Sequence, residues 1–174
     1  MNHLLMKMKM IRTAKHPNFE EINPILEQWI HFLPQIEPDS YTNLVAAKRT
    51  SYCCYPKPFM DLGNWVAKTF NYNYDWDNAE VELWGAVYNK GHYAIKHGHG
   101  DPDNPEKHVV SFVYYVNAPE GSSPLVFADI NQTFEPEAGL CITWDEDEEH
   151  EVPPNQCDNR IIVAGNFYSN EYGI

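Results

Sequence analysis

Val81-Glu82-Leu83-Trp84-Gly85-Ala86-Val87-Tyr88 is where this chain changes period. From here on, short runs rich in β-branched and aromatic residues alternate with clusters of Gly, Pro, Asn and Asp, the pattern of strands separated by turns. Further runs follow at Tyr93–His99, Val109–Asn117, Leu125–Ile130, Gly139–Trp144 and Arg160–Tyr168. Upstream the spacing is helical. Phe19, Ile22, Ile25, Leu26, Trp29, Ile30 and Leu33 recur on one helix face, and Phe59, Leu62, Trp65, Val66 and Phe70 do the same within Pro58–Phe70. Asn18 with Glu21 reads as a capping box, Asn23-Pro24 offers a later start, and Pro34 ends the first helix. Lys7–Ala14 reads as a short first strand, the 35–58 stretch gives no firm assignment, and Asn71–Asn78 reads as a turn-rich connector. Two helices followed by six or more strands predict an α+β fold: a double-sheet β-barrel with the helices packed outside one sheet.

The chain has 174 residues with 43% hydrophobic content, enough for one domain with its own core. The expected organisation is a single domain, 1–174, with 1–78 as helical support and 79–174 as the barrel. Acidic residues outnumber basic ones 25 to 12, and the formal charge of −13 opposes nonspecific binding to nucleic acid or anionic lipid. The apolar run Leu4-Leu5-Met6 is too short for a signal peptide, and no later run approaches a membrane span. Cys53, Cys54, Cys141 and Cys157 show no CxxC spacing, so free thiols in a reducing cytoplasm are expected.

Chemistry concentrates at two poles, His97-Gly98-His99-Gly100-Asp101 and His150-Glu151-Val152, with Arg160 ten residues after the second. On a strand, Tyr93, Ile95, His97, His99 and Asp101 share one face. Two imidazoles, or an imidazole and a carboxylate, can bind one ion from there, with His150 as the third ligand. Two His and one carboxylate leave open positions that suit non-haem Fe(II) and oxygen. His92 and His108 have no such spacing, and Asp145–Glu149 reads as a solvated loop. Arg160, Ile162, Ala164 and Asn166 share a face, and a buried Arg there needs a carboxylate partner. Tyr115, in line with Ser111, Val113 and Asn117, can add its hydroxyl. A surface ion pair between Arg160 and the acidic loop is the plain alternative.

In this order the residues resemble the 2-oxoglutarate- and Fe(II)-dependent dioxygenases, and within them the prolyl-hydroxylase-like branch. His99-Gly100-Asp101 resembles the H-x-D motif, Phe112–Asn117 the "YYLN" strand, Pro136–Leu140 the "P-x-x-G-x-L" motif, and His150–Pro154 the distal "HEV-x-P". Arg160 resembles the Arg that binds the far carboxylate of 2-oxoglutarate. The resemblance covers about Val81 to Phe167. Cys141-Ile142-Thr143-Trp144 departs from the apolar strand usual before the distal His. A second alignment, through His97-Gly98-His99, resembles a phage and bacterial subgroup with an H-x-H pattern and a three-His site.

The resemblance implies a double-stranded β-helix, a jelly-roll or cupin-like barrel. It implies Fe(II) held by His99, Asp101 and His150, with His97 as the alternative ligand, and 2-oxoglutarate held by Arg160 and Tyr115. The implied reaction uses O2 to oxidise a substrate C–H bond, in the default case a hydroxylation, as 2-oxoglutarate is decarboxylated to succinate. The substrate is a small molecule or a peptide, with prolyl residues as the nearest analogy. Rival readings are a cupin-type three-His metalloenzyme without 2-oxoglutarate and a non-catalytic jelly-roll binding or virion protein.

Overall fold

The computed structural model describes residues 11–36, 45–52, 56–72, 80–100 and 108–169. Met1–Met10, Cys53, Cys54, most of the 71–78 connector and Asp101 lie outside these ranges. The described elements are β1 (Arg12–Lys15), α1 (Phe19–Phe32), β2 (Val45–Ala46), β3 (Lys48–Arg49), α2 (Lys57–Phe70), β4 (Glu80–Tyr88), β5 (Tyr93–His97), β6 (His108–Asn117), β7 (Leu125–Phe127), a 3-10 turn (Ala128–Ile130), β8 (Gln132–Phe134), β9 (Leu140–Asp145), β10 (His150–Val152) and β11 (Arg160–Ser169).

The strands form two antiparallel sheets, one six-stranded in the order β1-β9-β6-β11-β4-β3 and one five-stranded in the order β2-β5-β10-β7-β8. The described pairings do not join the two sheets, which remain open at their edges. The N-terminal half contributes β1 to one edge, β3 to the opposite edge and β2 to the second sheet. The stretch without a firm assignment therefore holds two strands of two residues each, too short to show a period.

The six-stranded sheet alternates cleanly between two cores. Leu83, Val87, Phe112, Tyr114, Cys141, Ile161 and Val163 face the helices and meet Leu26 and Ile30 of α1 and Phe59, Leu62, Val66 and Phe70 of α2. Ala86, Tyr88, Val113, Tyr115, Ile142, Trp144, Ile162 and Ala164 face the other sheet and meet Ala94, Leu125, Phe127 and Val152. The order is thus helices, six-stranded sheet, five-stranded sheet. α1 comes close enough to β4 that a Cβ on Gly85 would stand 2.4 Å from Ile30 Cγ1.

Several expectations need correction. Asn18 makes no side-chain cap, and Pro24 lies inside α1. Asn23 instead works as a buried clamp: its Nδ2 donates to Val116 O at 2.7 Å, and its Oδ1 accepts from Tyr114 Oη at 2.7 Å. Ile25 is 46% exposed rather than buried, because the contact face centres on Leu26 and Ile30. The Leu125–Ile130 run is strand only to Phe127; after the 3-10 turn, Asn131 in the left-handed region (φ 54°) turns the chain back into β8. Among the described residues no helix is long and apolar enough to cross a membrane. Cys141 and Cys157 are free thiols.

Candidate functional site

β10 pairs with β5 so that His150 lies directly opposite His97. The next pair in register is Val152 with Ala94, so β5 spends three residues where β10 spends two. This bulge resets the alternation of β5. The expected shared face of Tyr93, Ile95 and His97 is therefore wrong: Ala94 is buried, Ile95 is 46% exposed, and His97 turns inward again. His99 follows, its ring stacked on that of His150 at 5.2 Å with 5° between planes, while the His97 and His150 rings are 4.4 Å apart.

One ring nitrogen on each of His97, His99 and His150 lies within 4.8 Å of the others. Three imidazole nitrogens that close can converge on one ion, which takes nitrogen ligands at about 2.1 Å. Two of the three rings are already oriented by main-chain carbonyls. His97 Nδ1 bonds Ile95 O at 2.7 Å, and His150 Nδ1 bonds Glu148 O at 3.3 Å, which leaves each Nε2 for a ligand. Burial, and then the neighbouring His97, lowers the His99 pKa to about 4. Burial, followed by His97 and His99, holds His150 well below the ordinary imidazole value. Both rings are thus neutral at pH 7, the form that binds metal. Asp101, the expected carboxylate ligand, lies outside the described residues.

The acidic loop is less solvated than expected. Glu148 is 2% exposed, its carbonyl orients His150, and Glu146 accepts from Val109 N at 3.2 Å and contacts His108 Nδ1 at 3.2 Å. Only part of the loop faces outward, as where Glu149 pairs with Lys96 at 3.0 Å. His92 and His108 stand outside the His cluster, as their spacing suggested.

Arg160 opens β11 and is 1% exposed, which excludes a surface ion pair. Its guanidinium carbon lies 4.6 Å from the Tyr88 ring centroid and 5.2 Å from that of Tyr115. Such contacts contribute about 0.5–2 kcal/mol each, less than the several kcal/mol that burying an unpaired charge costs. Its Nε and Nη1 have no hydrogen-bond partner among the described residues, and neither has the Tyr115 hydroxyl. Burial raises the Tyr115 pKa, against the Arg160 charge and the nearness of its guanidinium donors, which fall short of a formed hydrogen bond, so the phenol keeps its proton and can donate. Two donors of the buried guanidinium and the phenol beside it fit a bound carboxylate. Arg160, Ile162, Ala164 and Asn166 line one pocket with His97, His99 and His150, as the shared face predicted.

Sequence reasoning missed Asn155, which is fully buried. Its amide donates to Tyr88 O and Cys157 O and accepts from Ser123 N, and its backbone bonds Gly91 N and His92 O. It pins the loop before Arg160 to the β4–β5 turn. A lone Asn after two prolines carries no signal of that in sequence.

No protein-family model matches the chain, and no curated protein matches it. Solved structures do. The viral collagen prolyl hydroxylase of Paramecium bursaria Chlorella virus 1, in complex with 2-oxoglutarate (2OG), superposes with a TM-score of 0.70 at 14% identity, over 95% of this chain and 99% of that one. The chain shares the fold of the 2OG-Fe(II) oxygenases. A Pseudomonas putida prolyl-4-hydroxylase matches at TM-score 0.68 and 16% identity, over 92% of each chain. HygX from Streptomyces hygroscopicus, with nickel, 2-oxoglutarate and hygromycin B bound, matches at 0.64 and 10%, over 91% of this chain and 82% of that one. These structures match over nearly the whole chain, helices included, where the sequence resemblance began only near Val81.

Proposed function

We propose that this protein is an Fe(II)- and 2-oxoglutarate-dependent dioxygenase that hydroxylates a C–H bond of a small molecule or peptide, and that its two sheets are the halves of a double-stranded β-helix. The observation that carries the reading is the placement in one pocket of a cluster of three His and a buried Arg160 whose Nε and Nη1 have no hydrogen-bond partner among the described residues. His99 and His150 are the metal ligands common to both alignments, with Asp101 as the third by resemblance. A second reading, His97 as third ligand, is favoured by its position opposite His150. Arg160 and Tyr115 hold the far carboxylate of 2-oxoglutarate through the Arg160 guanidinium and the Tyr115 hydroxyl.

Iron and 2-oxoglutarate supply the oxidation, consuming O2 and releasing succinate and carbon dioxide. The chain's own part is to orient His97 and His150 through Ile95 O and Glu148 O, to fix one end of the 2-oxo acid, and to keep water out with Leu125, Val152 and Ile162. The prolyl hydroxylase neighbours make a prolyl peptide the first substrate to try, in a reducing cytoplasmic setting.

The test is succinate formation from 2-oxoglutarate by metal-replete protein. His150→Ala is expected to lower it by at least a hundredfold. Unchanged turnover would remove the metal assignment.

A further inference from the structure

Arg160 occupies one end of the pocket, and the other end has its own chemistry. Trp144 on β9 lies opposite Ser111 on β6, Ser111 opposite Asn166 on β11, and Asn166 opposite Glu82 on β4. These four residues form a single row across four neighbouring strands. Asn166 is six residues beyond Arg160 on the same strand, about 20 Å away at the rise of an extended chain. Trp144, Ser111 and Asn166 line the pocket.

The row is fixed from its Glu82 side. Ser111 Oγ donates to Asn166 Oδ1 at 2.9 Å; Asn166 Nδ2 donates to Glu82 Oε2 at 2.8 Å and lies 3.3 Å from Tyr168 Oη; Tyr168 Oη donates to Glu82 Oε2 at 2.7 Å. The Ser111 proton is thus committed and its oxygen presents only lone pairs to the pocket. Trp144 is 4% exposed, and its Nε1–H has no hydrogen-bond partner among the described residues. Its ring stands 4.6 Å from that of His150 and 6.5 Å from that of His99. A buried donor left unpaired is costly, and a ligand oxygen would satisfy it.

We propose that Trp144 and Ser111 form the primary-substrate subsite, and that it takes an amide. The Trp144 N–H donates to an amide carbonyl, and Ser111 Oγ accepts an amide N–H. Trp144 and Ser111 are directly opposed on neighbouring strands, so the donor and the acceptor stand side by side on one wall and complement the C=O and N–H that a single residue presents along one edge of an extended peptide. The Glu82 carboxylate behind Asn166 disfavours a carboxylate in the same place. The proposal rests on the oxygenase reading, since it assumes that Arg160 and the His cluster are occupied by the 2-oxo acid and a metal.

The test is an amide-proton NMR titration of the full chain loaded with Zn(II), a diamagnetic substitute for iron. The Trp144 indole signal is assigned by its loss in Trp144→Phe, or from its contacts with the His150 ring if that variant does not fold. 2-Oxoglutarate is added first, then N-acetylprolylglycinamide, which has amides and no carboxylate. The expected result is a Trp144 indole proton that moves downfield with the peptide and not with 2-oxoglutarate, and about tenfold weaker peptide binding to Trp144→Phe with unchanged 2-oxoglutarate affinity. If the indole signal responds fully to 2-oxoglutarate alone, or stays in place while other pocket signals saturate with peptide, the subsite is overturned. If the protein binds no peptide with 2-oxoglutarate in place, the amide assignment fails. If 2-oxoglutarate itself moves no signal, the oxygenase reading fails first.

Discussion

At the scale of single residues, the decisive question is which group completes the metal set. His99 and His150 belong to both candidate sets, and they differ only in His97 against Asp101. The sequence resemblance favours Asp101, while the β5–β10 register sets His97 directly opposite His150. With Asp101 as third ligand, Asp101→Ala is expected to weaken metal binding at least a hundredfold, and His97→Ala about tenfold or less, by disturbing the His150 ring that it packs against. Calorimetric titration with Ni(II) or Zn(II) separates them. The reverse order of the two losses would establish the three-His site. His99 and Arg160 could be read as single letters in a pattern. His97 could be read as an alternative ligand from the H-x-H pattern, but the bulge just before it that turns it inward leaves no mark in local composition.

At the scale of elements, strong periodicity made most of the fold legible. α1, α2, β4, β6, β9 and β11 stand within a residue or two of where their spacing put them, because each helix buries one long face and each of these strands buries both. The elements that escaped are short. β2, β3 and β8 have two or three residues and are held by pairing, not by a hydrophobic stripe. β10 is also three residues long, yet it carries His150, and a pole of chemistry marked it where periodicity did not. Close packing between elements gives a prediction here. A methyl group at Gly85 would collide with Ile30, which is fully buried between α1 and β4. Gly85→Ala is expected to destabilise the fold by about 1–3 kcal/mol through overpacking, read as a lower denaturant midpoint with an unchanged slope. An unchanged midpoint would mean that α1 slides away from the sheet without cost.

At the scale of the whole molecule, the fold holds together two buried groups that disfavour it when no ligand is present. The His99 and His150 rings bind protons less readily folded than unfolded. Below about pH 6.5 the unfolded chain takes up these protons and the folded one does not, so metal-free stability falls as pH drops from about 6.5 toward 4. Above that window the contribution is constant. Thermal melts of the metal-free protein should show this loss, and His99→Gln with His150→Gln should flatten the slope between about pH 5 and 6.5. An equal slope in the double variant would contradict the neutral imidazoles. Arg160 is the second such group, a buried cation whose proposed partner is a ligand carboxylate. The most direct measurement of the account is therefore anaerobic titration of the Fe(II)-loaded protein with 2-oxoglutarate, followed by the weak visible charge-transfer absorption of the chelated 2-oxo acid. The account predicts that the band appears, and that Arg160→Ala moves its midpoint to at least tenfold higher 2-oxoglutarate. Iron binding with no band, or a midpoint indifferent to Arg160, would contradict it.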